Sequence, residues 1–155
     1  MTPPSPCSEK ELSLGALAPV VGYHLAQATV AATAAYEHHI GEPLGLRKVE
    51  FSLLMLLLAN GPTPPKRLSQ TLALTAPALT LLIDRLEDRG LVRRERNPHD
   101  GRSQHIVLTE AGKKLSRDAA KATTAMEAAA SARLSRAEHA MLIELLCKVA
   151  GQAAP

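Results

Sequence analysis

Along the chain, apolar residues return every three or four positions in six stretches, and this spacing predicts six helices. The first stripe carries Leu17, Val21, His24, Leu25, Ala28, Ala31, Ala32 and Ala35 and runs from about residue 19 to about residue 39. Upstream, Ser8-Glu9-Lys10-Glu11 fits a capping box, so helix is expected from there, weakened or kinked at Gly15 and Pro19. Gly41-Glu42-Pro43 is expected to end it. The second helix spans about residues 47–60, with Phe51, Leu54, Leu57 and Leu58 inward, and Gly61-Pro62 breaks it. Thr63 is the expected N-cap of the third, with Pro64 in its first turn, where a missing N–H costs nothing. A short turn at Ala73-Leu74 leads to Thr75, the expected N-cap of the fourth. That helix places Leu79, Leu82, Ile83 and Leu86 on one face, and Gly90 stands where a helix-ending glycine belongs.

The pattern then changes. Residues 91–96 and 104–108 are short runs suited to strands, separated by the turn formers Asn97-Pro98-His99-Asp100-Gly101-Arg102-Ser103. They predict a β-hairpin with a long basic tip. Thr109 caps a fifth helix to about residue 130. Ser135-x-x-Glu138 is a capping box opening a sixth, with Leu142, Leu145, Leu146 and Val149 inward. The fold class is therefore mainly α with one small hairpin. Two helices joined by a tight turn and followed by a basic hairpin form a winged helix–turn–helix. Residues 44–115 make that lobe and residues 8–40 and 116–152 a helical dimerisation region, all within one continuous domain. The first helix is too long for the lobe alone to bury, so its surplus apolar face and that of the sixth are expected to pair with a second copy.

Composition narrows the classes. No apolar run in the 155 residues reaches the roughly 18 that a membrane span needs. The first seven residues show no basic or apolar stretch of a signal peptide, and two cysteines (Cys7, Cys147) make no disulfide framework, so a reduced, cytoplasmic chain with no membrane partner is expected. Tyr23, Tyr36 and Phe51 are the whole aromatic complement, too few for a platform that stacks single-stranded bases. Charge is uneven. Residues 42–114 hold 12 Lys/Arg against 8 Asp/Glu, a surplus of +4, whereas the flanks hold 6 against 7. A basic module sits between near-neutral helical ends.

Binding duplex DNA requires several cations aimed at phosphates. Lys66, Arg67, Arg85, Arg89, Arg93, Arg94, Arg96 and Arg102 lie in or beside the motif. Arg102 is the sharpest candidate. Asp100, two residues away on the hairpin tip, could hold its guanidinium and aim it into a narrow minor groove, with Ser103 beside it. Arg93 and Arg94 alternate faces on a strand, so one would meet phosphate and the other solvent or an acidic helix residue. Asp84 and Arg85 could instead form an ion pair within the module.

The stretch from Leu72 to Leu115 resembles the DNA-binding lobe of the MarR family, the bacterial multiple-antibiotic-resistance regulators. Three blocks carry the resemblance: Ile83-Asp84-Arg85-Leu86-Glu87-Asp88-Arg89-Gly90-Leu91-Val92, then Asp100-x-Arg102-Ser103, then Leu108-Thr109-x-x-Gly112. The helix order around them extends it to about residues 12–150. The resemblance implies a triangular homodimer on a pseudo-palindromic operator. It also implies repression relieved by a small, often aromatic and anionic ligand, or by oxidation. One departure stands out. The recognition helix opens Thr75-Ala76-Pro77-Ala78-Leu79-Thr80-Leu81, where the family usually carries polar or basic residues. Pro77, Ala78 and Leu81 are expected to be exposed, with Thr75 and Thr80 supplying hydroxyls. Apolar contact with thymine methyls fits this face, whereas two-point hydrogen bonding to guanine or adenine does not. Weaker base readout, with heavier reliance on Arg102, phosphates and DNA shape, is expected.

For an effector, Tyr23, His24, Tyr36 and His39 on the first helix and Arg47 at the start of the second are the candidates. An aromatic acid needs a cation or hydroxyl at the mouth of an apolar cavity, and the resemblance puts such cavities between the dimer helices and the lobe. Metal sensing is the poorer use of the six histidines. His38 and His39 are adjacent and diverge on a helix, and no His-x-x-x-His or Cys-x-x-Cys occurs, so no metal or other cofactor is expected. Cys7 sits among prolines and serines with Lys10 as its nearest cation, which gives no cause for a reactive thiolate. No Walker loop, G-x-G-x-x-G, G-x-S-x-G or H-E-x-x-H motif occurs, so no enzymatic activity is expected. The alternatives left open are a winged-helix dimer that has lost DNA binding and serves as an interaction or small-molecule-binding module, and a redox- or metal-responsive regulator.

Overall fold

A computed structural model describes residues 12–97 and 100–152, the backbone alone for residues 97 and 100–103. The expected capping box at Ser8 and the thiol of Cys7 lie outside the described residues. A 3-10 turn at Gly15–Leu17 precedes helix α1, Val21–Tyr36. The chain does not stop where Gly41-Glu42-Pro43 predicted. It widens into a π-helical turn, Glu37–Gly41, and closes with a helical turn α2, Glu42–Leu44. The stop is Gly45, whose φ of 60° is the left-handed conformation that glycine adopts without strain.

Helix α3, Lys48–Asn60, starts as the spacing predicts, and its apolar face holds Leu53 as well as Leu54 and Leu57 in full burial, with Phe51 and Leu58 half-buried. Its start is fixed by Glu50, whose carboxylate accepts the backbone N–H of Arg47 at 2.9 Å. Helix α4, Pro65–Thr71, is capped by Pro64 rather than Thr63. Thr63 is drawn elsewhere. It exchanges two backbone hydrogen bonds with Ile106, of 3.1 and 2.9 Å, and so lies against the hairpin as a third extended segment.

Helix α5, Ala76–Asp88, begins at Thr75, whose Oγ1 accepts the N–H of Ala78, and buries the predicted Leu79, Leu82, Ile83 and Leu86. Gly90 (φ 67°) ends it, with Leu91 N–H reaching back to the carbonyl of Leu86 at 2.9 Å. Strands β1, Val92–Asn97, and β2, Asp100–Leu108, pair antiparallel from Val92↔Leu108 to Asn97↔Asp100, with a register irregularity at Arg96/Asn97.

Thr109 caps helix α6, Glu110–Ala130, by accepting from Gly112 N–H at 3.0 Å while its hydroxyl donates to Gly90 O at 2.6 Å. Gly112 itself is forced. A Cβ built there would lie 1.9 Å from the carbonyl oxygen of Leu91, a backbone atom with nowhere to go. Helix α7, Arg136–Val149, carries the predicted capping box in full, Ser135 and Glu138 each accepting the other's backbone N–H.

The core lies where α3, α4, α5 and the hairpin meet. Leu53, Leu54, Leu57, Leu68, Leu79, Leu82, Ile83, Leu86 and Ile106 are all buried. Each contributes on the order of 1.5–3 kcal/mol relative to an exposed position. Outside it the pattern inverts. No residue of α7 is buried, and Met141, Leu142, Leu145 and Val149 all face outward. Leu17, Val21, Leu25 and Val30 on and before α1 do the same. No described helix is long and apolar enough to cross a membrane.

Candidate nucleic-acid interface

Because α5 buries positions 79, 82, 83 and 86, the opposite stripe of Pro77, Thr80, Leu81 and Arg85 is turned outward, and all four are exposed. Ala78 is half-buried and Thr75 exposed. Thr80 donates its hydroxyl proton to the carbonyl of Ala76 at 3.0 Å, leaving only its lone pairs for a partner. Arg85 lies back along its own helix, its Nε–H on Leu81 O at 3.3 Å. On α4, Lys66 and Arg67 are exposed, and Arg67 lines a hollow with Leu56, Asn60 and Thr71. Among the described residues, no carboxylate lies within ion-pair distance of Lys66, Arg67 or Arg85.

The two strand arginines divide as alternation requires, and Arg94 is the one that meets acidic helix residues. Its guanidinium bridges Asp84, at 2.6 Å, and Glu87, and its backbone N–H donates to Glu87 at 2.9 Å. Arg94 is fully engaged in docking the hairpin on α5. In doing so it neutralises two of the three carboxylates of α5, Asp84 and Glu87. Asp84 therefore pairs with Arg94, not Arg85. Arg93 points to the other hairpin face, away from α5. It pairs with Glu95, Nε to Oε1 at 2.7 Å, and lines a 390 Å³ hollow with Lys113 and Arg117. Asp100, Arg102 and Ser103 belong to β2, but their side chains lie outside the described residues. Arg89, at the end of α5, donates to the buried carboxylate of Glu50 at 3.1 Å and so ties α5 to the start of α3.

A second concavity of 310 Å³ lies between α1, α3 and α6, lined by Thr33, Tyr36, Lys48, Phe51, Met126 and Glu127 among others. Of the five expected effector residues only Tyr36 lines it. The hydroxyl of Tyr36 is already used, donating to Leu46 O at 2.7 Å. Burial, with the Glu37 and Glu50 carboxylates adding to it, pushes the phenol up to about 12, so it stays a neutral donor. Tyr23 packs edge-on against His24, whose Nε2 is 2.8 Å from Ala18 O. Arg47 opens toward another hollow, with Arg85 and Arg89. His39 packs against His38 in the π turn, ring centroids 4.8 Å apart, although adjacent helical side chains were expected to diverge. The cation at the cleft is Lys48, its Nζ on Thr33 Oγ1 at 2.5 Å. Its spacing to Phe51 and Ser52 puts all three on one helical face, a signal present in the sequence but not used. Among the described residues, no three His, Cys, Asp or Glu side chains converge as metal ligands.

Comparison with known proteins bears on this geometry. The model of the MarR family matches residues 46–104. An HTH-type transcriptional repressor of Mycobacterium bovis is 30% identical over 107 residues, 69% of this chain and 77% of that one. A shorter match, to an uncharacterized HTH-type transcriptional regulator of Bacillus subtilis, is 37% identical over 68 residues and covers 44% of each chain. Among solved structures, a probable transcriptional regulator from Pseudomonas aeruginosa superposes with a TM-score of 0.77 at 30% identity, covering 86% of this chain and 98% of that one. The transcriptional repressor CouR is also 30% identical. Bound to a 23-mer DNA duplex it gives a TM-score of 0.76 over 90% of this chain and 99% of its own. Bound to p-coumaroyl-CoA it gives 0.78 over 90% and 98%.

Proposed function

The chain belongs to the MarR family of transcriptional regulators, and from that premise we propose that it is a homodimeric repressor whose two winged lobes grip a pseudo-palindromic operator in duplex DNA. The observation that carries this reading is the outward face of α5. It carries Arg85, the exposed Lys66 and Arg67 stand on the preceding helix, and two of its three acidic residues, Asp84 and Glu87, are paired with Arg94. A helix so prepared suits a groove walled by phosphates. On this reading residues 44–115 are the DNA-binding lobe, residues 8–40 and 116–152 the dimerisation region, and the protein works in the cytoplasm. The bare apolar faces of α1 and α7 are the surfaces a second copy would cover.

The repressor is released, on the same reading, by a small aromatic or anionic effector in the cleft between α1, α3 and α6. Phe51 and Met126 supply apolar walls there and Lys48 a cation. The p-coumaroyl-CoA bound to CouR supports an aromatic ligand class. The test is selection of bound duplexes from a random pool, followed by affinity against salt. Two half-sites about 10–10.5 base pairs apart, bound with a steep salt slope, are expected. A monomer indifferent to every duplex at low salt overturns the reading. Calorimetry with salicylate-like acids then tests the effector: absence of heat and of any change in operator affinity removes that part alone.

A further inference from the structure

We propose that Leu81 reads the operator, seating its isobutyl group against the 5-methyl of a thymine in the major groove. The inference rests on the DNA-binding reading above and deepens it. Leu81 is 63% exposed, and among the described residues every other exposed large apolar side chain falls at residues 12–30 or 134–149. Among its described residues, the winged lobe thus leaves no large apolar side chain exposed save this one. The exception stands in the middle of the outward face of α5, one turn after Pro77 and one turn before Arg85.

Elimination on that face leads to the same residue. Pro77 and Ala78 have no hydrogen-bonding side chain. Thr80 gives its proton to Ala76 O, Asp84 is held by Arg94, and Arg85, whose terminal N–H groups stay available for phosphate, stands a turn beyond Leu81. What projects toward a groove from the first two turns of α5 is therefore a branched hydrocarbon. The major-groove edges of guanine, adenine and cytosine carry polar groups with no methyl beside them, and an isobutyl group would strip those polar groups of water without replacing their hydrogen bonds. Thymine alone offers a methyl. The residue both favours thymine and penalises the other three bases, so it is a determinant of specificity rather than of bulk affinity.

The experiment uses the full-length protein and the duplex it selects, with affinity measured by fluorescence anisotropy. Each thymine is replaced singly by deoxyuridine, which removes the methyl and nothing else, and each duplex is titrated with wild type and Leu81→Ala. At one thymine of each half-site, uracil is expected to weaken wild type about fourfold, the worth of one buried methyl. The same uracil is expected to cost Leu81→Ala nothing further. Leu81→Arg is expected to reselect guanine at that position. Because Leu81 is exposed, thermal melting should be unchanged in both variants. If every single uracil leaves wild type within about twofold, or if the penalty persists in Leu81→Ala, the assignment is overturned. If that happens while the duplex still binds and Arg67→Ala still weakens it, only the role of Leu81 falls. If no duplex binds at all, the DNA-binding reading falls first and takes this inference with it.

Discussion

The winged lobe and the terminal helices obey opposite rules with the same kinds of residue. In the lobe, Leu53, Leu54, Leu57, Leu82, Leu86 and Ile106 are buried, and the outside is cationic. In α7, Met141, Leu142, Leu145 and Val149 are equally regular in spacing yet exposed. Helical periodicity reports which face is apolar but not what covers it. The lobe supplies its own cover, and the terminal helices do not. The lobe covers its own apolar face, and the flanks leave theirs bare.

The sharpest way to break this contrast is to charge the bare face. Leu142→Asp with Leu145→Asp should leave the lobe folded by circular dichroism but yield monomers in sedimentation. Operator affinity should drop about 100-fold or more, because one lobe binds without its tethered twin. A variant that stays dimeric and binds normally would show the face is covered by nothing. Next in size is the seam between the two regions. Gly112→Ala drives a methyl into the carbonyl of Leu91 and should cost about 1–3 kcal/mol in denaturant unfolding. Unchanged stability there would mean that α6 is not pressed against the lobe.

The smallest effects separate two arginines inside the lobe. Arg94→Ala strands Asp84 and Glu87 and should cost about 1–2 kcal/mol of stability, discounted for partial exposure, with the salt slope of DNA binding unchanged. Arg67→Ala should leave stability alone and lower that slope by about one. A reversal of the two results would return Arg94 to the binding surface.

Much of the scaffold was legible because its signals are local. Thr75, Thr109 and the Ser135–Glu138 box cap helices by bonds within three residues, and the stripe of Leu79, Leu82, Ile83 and Leu86 needs only helical geometry. The failures share a cause as well. Thr63 was assigned to a cap because its partner, Ile106, lies 43 positions away. The helix was ended at Gly41, although that glycine is buried inside a π turn with Glu37 folded against it. Arg94 was given to DNA because a strand arginine looks the same whether it meets phosphate or two carboxylates. Lys48 was passed over for Arg47 and His39 because the cleft exists only once α1 and α6 close over α3.

Helix α6 leaves the lobe at Glu110 and reaches the flank at Ala130 without a break. It is a strut, about 30 Å long at 1.5 Å per residue. The flank is held to the lobe by that rod together with the end of α1, whose Tyr36 and the Ile40 of the following π turn are buried in the core. One residue inserted just beyond the buried Ala119 would turn the far end by about 100° relative to the lobe and lengthen nothing appreciably. In the homodimer proposed above, the two lobes would then be mounted out of phase with each other.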